Sequence, residues 1–215
     1  MSEMTTLLNP PNCPAHDAMV EKKSEFIGDA CHVESLEDAL AFVDMIREQH
    51  PKARHVAYAA ICGGSDGRLS ERMSDDGEPS GTAGKPILDV LRANALTDCV
   101  VTVTRYFGGI LLGSGGLIRA YSTGASLAVK AAKKARIVPC QIYRVRLDYA
   151  QIGSFEQVLL AVNGERRGQD FAERVTYEVS VPQDAVAVFE SRVRETFNAN
   201  VKPEVLGTVN RAVPL

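Results

Sequence analysis

Apolar residues recur along the chain in two rhythms, one near 3.6 residues and one of short unbroken runs. Glu21–Val33 reads as a strand whose apolar members are Phe26, Ile27, Cys31 and Val33, interrupted at Gly28. Ser35 opens a helix: Asp38 follows three residues on, as in a capping box, and Leu36, Leu40, Val43 and Ile46 recur at helical spacing before Pro51 stops it. His55–Ile61 (HVAYAAI) is a strand of buried type that ends in the turn signal Gly63-Gly64. A polar stretch from Ser65 to Lys85 comes next, and long connections inside a compact domain are often functional. Pro86 suits the first turn of a helix carrying Ile87, Leu88, Val90 and Leu91, and Cys99–Val103 is a continuous β-branched run. Past Gly108-Gly109 and Gly113-Ser114-Gly115-Gly116, a helix is predicted from Leu117 to about Arg136, with Leu117, Tyr121, Ala125, Ala128 and Ala132 as its core stripe.

Pro139 marks a boundary, and the remainder has a rhythm of its own, with no internal repeat. Ile142–Tyr149 reads as strand, Ile152–Val162 as helix, Glu165–Phe171 and Arg174–Val181 as strands, a helix capped by Asp184 carries Val186, Phe189, Val193 and Phe197, and Lys202–Thr208 is the last strand. The order β-α-β-β-α-β is the ferredoxin-like unit. The expected layout is therefore α+β, with a flexible tail over 1–17 that holds three prolines, a larger domain over 18–138 and a smaller one over 139–215.

Composition narrows the class. In 215 residues, 45% are hydrophobic and 24% charged, and the formal net charge of −3 gives no bulk polyelectrolyte character, so any electrostatic function has to come from a local patch. The five cysteines, at 13, 31, 62, 99 and 140, contain no C-x-x-C pair; an odd, scattered set fits a reducing compartment better than a disulfide framework or a thiolate zinc site. The first residues lack a basic and an apolar region of the signal-peptide kind, and the longest near-apolar run, Phe107–Ile118, is short and glycine-rich. A cytoplasmic protein without membrane partners is expected.

Charge is nevertheless segregated. From Cys99 through Leu147 there is no Asp or Glu, but there are Arg105, Arg119, Lys130, Lys133, Lys134, Arg136, Arg144 and Arg146. Arg119, Lys130 and Lys133 fall on one side of the expected helix with no acidic partner at i±4, whereas ordinary surface helices mix signs. Gly108, Gly109, Gly115 and Gly116 lead from a strand into that helix, an arrangement that lets an anion approach backbone N–H groups, with Arg105 and Arg119 as its flanks; Tyr106 and Phe107 could stack on a base, although aromatics at a strand end more often belong to the core. The spacing matches neither dinucleotide nor P-loop fingerprints, and close packing of turn on helix explains the glycines equally well. Asp75, Asp76 and Glu78, with Ser80 and Lys85 close by, form an acidic loop that suits turn chemistry and an interaction surface better than Mg²⁺. His16, His32, His50 and His55 show no metal-ligand spacing; no metal, cofactor or catalytic residue is assigned.

Two stretches carry a family resemblance. Ser74-Asp75-Asp76-Gly77-Glu78-Pro79-Ser80-Gly81-Thr82-Ala83-Gly84-Lys85-Pro86 resembles one signature of the YigZ/IMPACT family; Val103-Thr104-Arg105-Tyr106-Phe107-Gly108-Gly109 with Leu112–Tyr121 resembles the other, and Lys23–Ile27 is similar to the family's opening strand. The likeness covers roughly 18–208 and is that of the bacterial two-domain type. It implies an N-terminal α/β sandwich similar to the second domain of a ribosomal protein and a C-terminal domain similar to the last domain of translocating elongation factor. Eukaryotic members regulate translation through a partner that does not carry over, since their domain layout differs. The family supplies no agreed catalytic residues.

Three functional readings follow. The first is a non-enzymatic regulator of translation that binds RNA or the ribosome through the basic, glycine-flanked surface. The second is an enzyme or binding protein for a phosphorylated small molecule with Mg²⁺ held near Asp75, Asp76 or Glu78. The third is a protein-interaction module that uses the acidic loop and the C-terminal sheet.

Overall fold

The computed structural model describes residues 4–63 and 68–215; Gly64 and the start of the polar stretch, 65–67, lie outside the described residues. The chain divides into two compact units, Met1–Arg136 with Pro214–Leu215, and Ile137–Val213.

The larger unit is built on a five-stranded sheet in the order β2-β3-β6-β4-β5, formed by Ala15–Glu21 (β2), Ser24–His32 (β3), His55–Gly63 (β4), Leu69–Ser74 (β5) and Cys99–Tyr106 (β6), with every neighbouring pair antiparallel. Both faces of the sheet are covered, which is why HVAYAAI is apolar without a break. Ala57, Ala59 and Ile61 of β4 point into one core with Ile87, Leu88 and Leu91 of α2 (Gly84–Ala93) and Leu117, Tyr121, Ala125 and Ala128 of α3 (Ser114–Ala131). Val56, Tyr58, Ala60 and Cys62 point the other way, onto Phe42, Val43 and Ile46 of α1 (Leu36–Gln49). Ser35 caps α1 as expected, its Oγ accepting from the Asp38 N–H at 3.1 Å.

Several elements differ from the sequence expectation. Residues 1–17, expected as a flexible tail, include β1 (Thr5–Leu7), which pairs with Lys134–Arg136, and the start of β2, which is joined to β3 by a hairpin whose turn residues Lys22 and Lys23 both have positive φ. The polar stretch contains β5. The long helix begins three residues earlier than expected and ends at Ala131, so Lys133 lies in the turn after it. β7 runs Lys134–Leu147 through Pro139.

In the smaller unit, β7, α4 (Ile152–Ala161), β8 (Glu165–Phe171), β9 (Val175–Pro182), α5 (Val186–Thr196) and β10 (Glu204–Pro214) follow the β-α-β-β-α-β order. The sheet order β10-β7-β9-β8 is the ferredoxin-like one. Tyr143, Val145 and Leu147 alternate inward from β7 and meet Val175, Tyr177, Val179 and Val181 of β9 beneath Phe155 and Phe189 of the two helices.

Candidate functional site

The acidic loop joins β5 to α2, and its carboxylates are all engaged internally. Asp75 Oδ2 accepts from the Gly81 N–H at 2.8 Å, and Oδ1 accepts from Ala83 and Gly84 at 3.0 and 2.9 Å, so this side chain caps the start of α2. Burial works to raise its carboxyl, but the three N–H groups outweigh burial and hold it below the ordinary value. Asp76 takes 2.7 Å hydrogen bonds from Arg47 Nη2 and the Val56 N–H, pinning the loop to the end of α1 and the start of β4. Glu78 is buried. Ser80 and Lys85 are exposed, and Lys85 pairs with Asp89 of its own helix at 2.6 Å. The three carboxylates therefore diverge to separate partners. Among the described residues no group of three or more His, Cys, Asp and Glu side chains could hold a metal ion.

Glu78 explains the largest correction. Arg105, expected at the surface as an anion ligand, is buried at the end of β6, and its Nη1 donates to Glu78 Oε1 at 2.6 Å with the two side chains 7% and 4% exposed. Tyr121 of α3 donates to the same oxygen at 2.8 Å. The guanidinium lies between two rings, 5.5 Å from the centroid of Phe26 and 5.4 Å from that of Phe107. Burial, reinforced by the Glu78 charge, raises the Tyr121 hydroxyl pKa well above its ordinary value, so it stays a proton donor. Arg105 thus serves the fold: a buried cation needs an adjacent anion, and Glu78 supplies it. Tyr106 is likewise engaged, its OH lying 3.0 Å from His50 Nδ1.

The glycines divide between two roles. A Cβ on Gly108 would lie 1.9 Å from the Lys23 carbonyl oxygen, and its N–H donates to Ser24 Oγ at 3.1 Å; this glycine lets the loop close on the β2–β3 hairpin. Gly109 (φ +83°) shapes the loop, whereas a Cβ on Gly115 would meet open space. A Cβ on Gly116 would touch the Leu112 side chain at 3.0 Å. Phe107, Ile110, Leu111 and Ile118 are exposed around this loop, Leu111 at 82%.

Arg119 and Lys130 are exposed on α3. Eleven residues apart, they return to within about 20° of one another around the helix and stand about 16 Å apart along its axis. Lys133 follows in the turn, and Lys134 opens β7. None of these four cations has a salt-bridge partner among the described residues. Arg119 shares a cleft of about 410 Å³ with Met19, Glu21, Gly116, Ala120 and Thr123, so the sheet brings an acid near it that helical spacing did not reveal. The lysines are different. Lys130, Lys133 and Lys134 rim an open cleft of about 680 Å³ that also involves Leu8, Asn94, Ser126, Val129, Ala132, Pro214 and Leu215. Sequence reasoning counted Lys134 among the cations without placing it. Its position depends on where the helix stops, and Leu8 and Asn94 are brought in by β1 and the end of α2.

The Impact N-terminal domain model matches residues 22–129, half of the chain, a span that contains both signature loops and α3 up to Val129. The chain belongs to the IMPACT family. Its second unit matches a domain of unknown function (DUF1949) over 145–200. The IMPACT family member YigZ of Escherichia coli (strain K12) is 37% identical over 174 residues, 81% of this chain and 85% of that protein. A Saccharomyces cerevisiae protein described as "Protein IMPACT homolog" is 30% identical over 120 residues, 54% of this chain and 46% of that one. A solved structure titled "Crystal structure of an hypothetical protein" shares the α+β two-unit fold with a TM-score of 0.63 at 32% identity, covering 96% of this chain and 98% of that one. Within the IMPACT signatures of this chain, Asp75, Asp76, Glu78, Arg105 and Tyr121 hold the two loops to the sheet and to each other.

Proposed function

We propose that this protein acts on translation by binding RNA or the ribosome, using the positive side of α3 and the turn that follows it. Lys130 and Lys133 are the principal contacts and Arg119 a flanking one. One observation carries the reading: these cations are exposed, and none has a salt-bridge partner among the described residues, in a segment that contains no acid from Cys99 through Leu147. An unpaired cationic face attracts polyanions, and phosphate is the polyanion of the translation apparatus. Membership of the IMPACT family, whose resemblance implies translation regulators among the eukaryotic members, supports the process. The carboxylates of the acidic loop are tied into the fold, and no chemical step is assigned.

The test compares the wild-type protein with a variant carrying Arg119→Gln, Lys130→Gln and Lys133→Gln, by titration into labelled RNA and by co-sedimentation with ribosomes. The wild type binds with an affinity that falls steeply with salt; three phosphate contacts correspond to a slope of log K against log salt of about −2 to −3. The triple variant binds at least tenfold more weakly at low salt and with a flatter slope. RNA affinity unchanged in the variant, or insensitive to salt, overturns the proposal. Recovery of ribosomal components from lysate that persists after nuclease digestion transfers the contact from RNA to protein.

A further inference from the structure

The lysine cleft has a feature that a face built only for phosphate would not need, namely an apolar floor. Leu8, Val129, Pro214 and Leu215 line it, and Leu215 is 79% exposed while Val129 is 2% exposed, so the floor runs from the core of the unit out to solvent. Two neutral polar groups sit among them. The Asn94 amide donates through Nδ2 to the Val90 carbonyl at 2.9 Å, which leaves its Oδ1 as an acceptor. The Ser126 hydroxyl donates to the Ser122 carbonyl at 2.7 Å, which leaves its oxygen lone pairs. The cleft is therefore lined by three lysines, two neutral side chains with acceptor capacity to spare and aliphatic surface.

Resting on the RNA reading above, we infer that this cleft takes an unpaired nucleotide of single-stranded RNA, with its base against the aliphatic floor and the adjoining phosphates on Lys130, Lys133 and Lys134. A duplex cannot use such a site. Its bases are stacked and paired inside the helix, and only phosphates and sugars reach a concave surface; bases become available to protein pockets in loops, ends and single strands. The volume of about 680 Å³ falls within the range of clefts that enclose small organic ligands. Charge complementarity selects the occupant: three cations, none with a salt-bridge partner among the described residues, suit a group that carries one negative charge per residue.

The experiment uses one labelled oligoribonucleotide, alone and annealed to its complement, titrated by fluorescence anisotropy with the full-length protein across a salt series. The single strand binds at least tenfold tighter than the duplex, with a salt slope of about −2 for three phosphate contacts. Ser126→Trp, at an exposed position on the cleft wall, fills the floor without removing a cation. It lowers single-strand affinity about tenfold and leaves the salt slope in place, whereas Lys133→Gln with Lys134→Gln flattens that slope by about 1.4. Circular dichroism and melting check the fold of each variant, and Ser126→Glu, a substitution an exposed helix position tolerates, weakens single-strand binding at least fivefold if tryptophan disturbs packing. Equal or tighter binding of duplex, or single-strand affinity within twofold of wild type in a folded Ser126 variant, overturns this inference and leaves the RNA reading standing. Absence of binding by either form at low salt overturns both.

Discussion

Glu78 and Arg105 show how a residue type can be read correctly and its role missed. An arginine beside glycines at a strand end has the makings of an anion ligand, and an acidic loop has the makings of a cation ligand; here each is the other's partner. Removing one member leaves a buried charge uncompensated, a loss of roughly 3–5 kcal/mol. Glu78→Ala is therefore expected to lower the urea midpoint of the 1–136 unit sharply, while Tyr121→Phe, which deletes one hydrogen bond to the same oxygen, costs only about 1–2 kcal/mol. Asp75 adds a pH dependence. Its carboxyl is held below the ordinary value in the folded protein, so its contribution is fully present above the unfolded value near 3.9 and is lost as pH falls through the lower folded one. Denaturant midpoints followed from pH 5 downward should fall in the wild type below about pH 4. In Asp75→Asn they should begin about 1–2 kcal/mol lower in stability at neutral pH and fall less.

At the scale of elements, legibility followed burial. HVAYAAI, the α1 stripe and the α2 stripe were plain because each buries a continuous or 3.6-periodic apolar face. β2 and β5 were not recognised, and they are the two edges of the larger sheet. In AHDAMVE only Ala15 is fully buried, and LSERMS has no buried residue, as suits edges that have to stay soluble and unpaired on one side. Their pairing is specified by β3 and β4, not by their own composition. Gly28 looked like an interruption of β3 and is instead the contact that seats α3: a Cβ there would lie 2.4 Å from the Gly124 carbonyl oxygen. Gly28→Ala forces helix and strand apart, and we expect a loss of roughly 2–3 kcal/mol, visible as a melting temperature lower by about 5–10 °C.

For the whole molecule, each unit closes its own core. Phe189 is fully buried in the Ile137–Val213 core, and truncating it costs roughly 3–5 kcal/mol. Hydrogen exchange on Phe189→Ala should therefore show protection lost across β7–β10 and retained in β4 and β6; uniform loss over both units would refute that autonomy. The sequence alone determined the α+β class, the β-α-β-β-α-β order of the second unit, the two signature loops and the segregation of positive charge. These depend on local periodicity and composition, which the chain carries in its own order. Only tertiary structure decided which charges face solvent. Burial of Arg105 depends on a glutamate 27 positions earlier, and the lysine cleft depends on a strand near residue 5 pairing with the start of β7. A side chain's partner across such distances is chosen by packing, because desolvating a charge is tolerable only where the fold supplies its opposite.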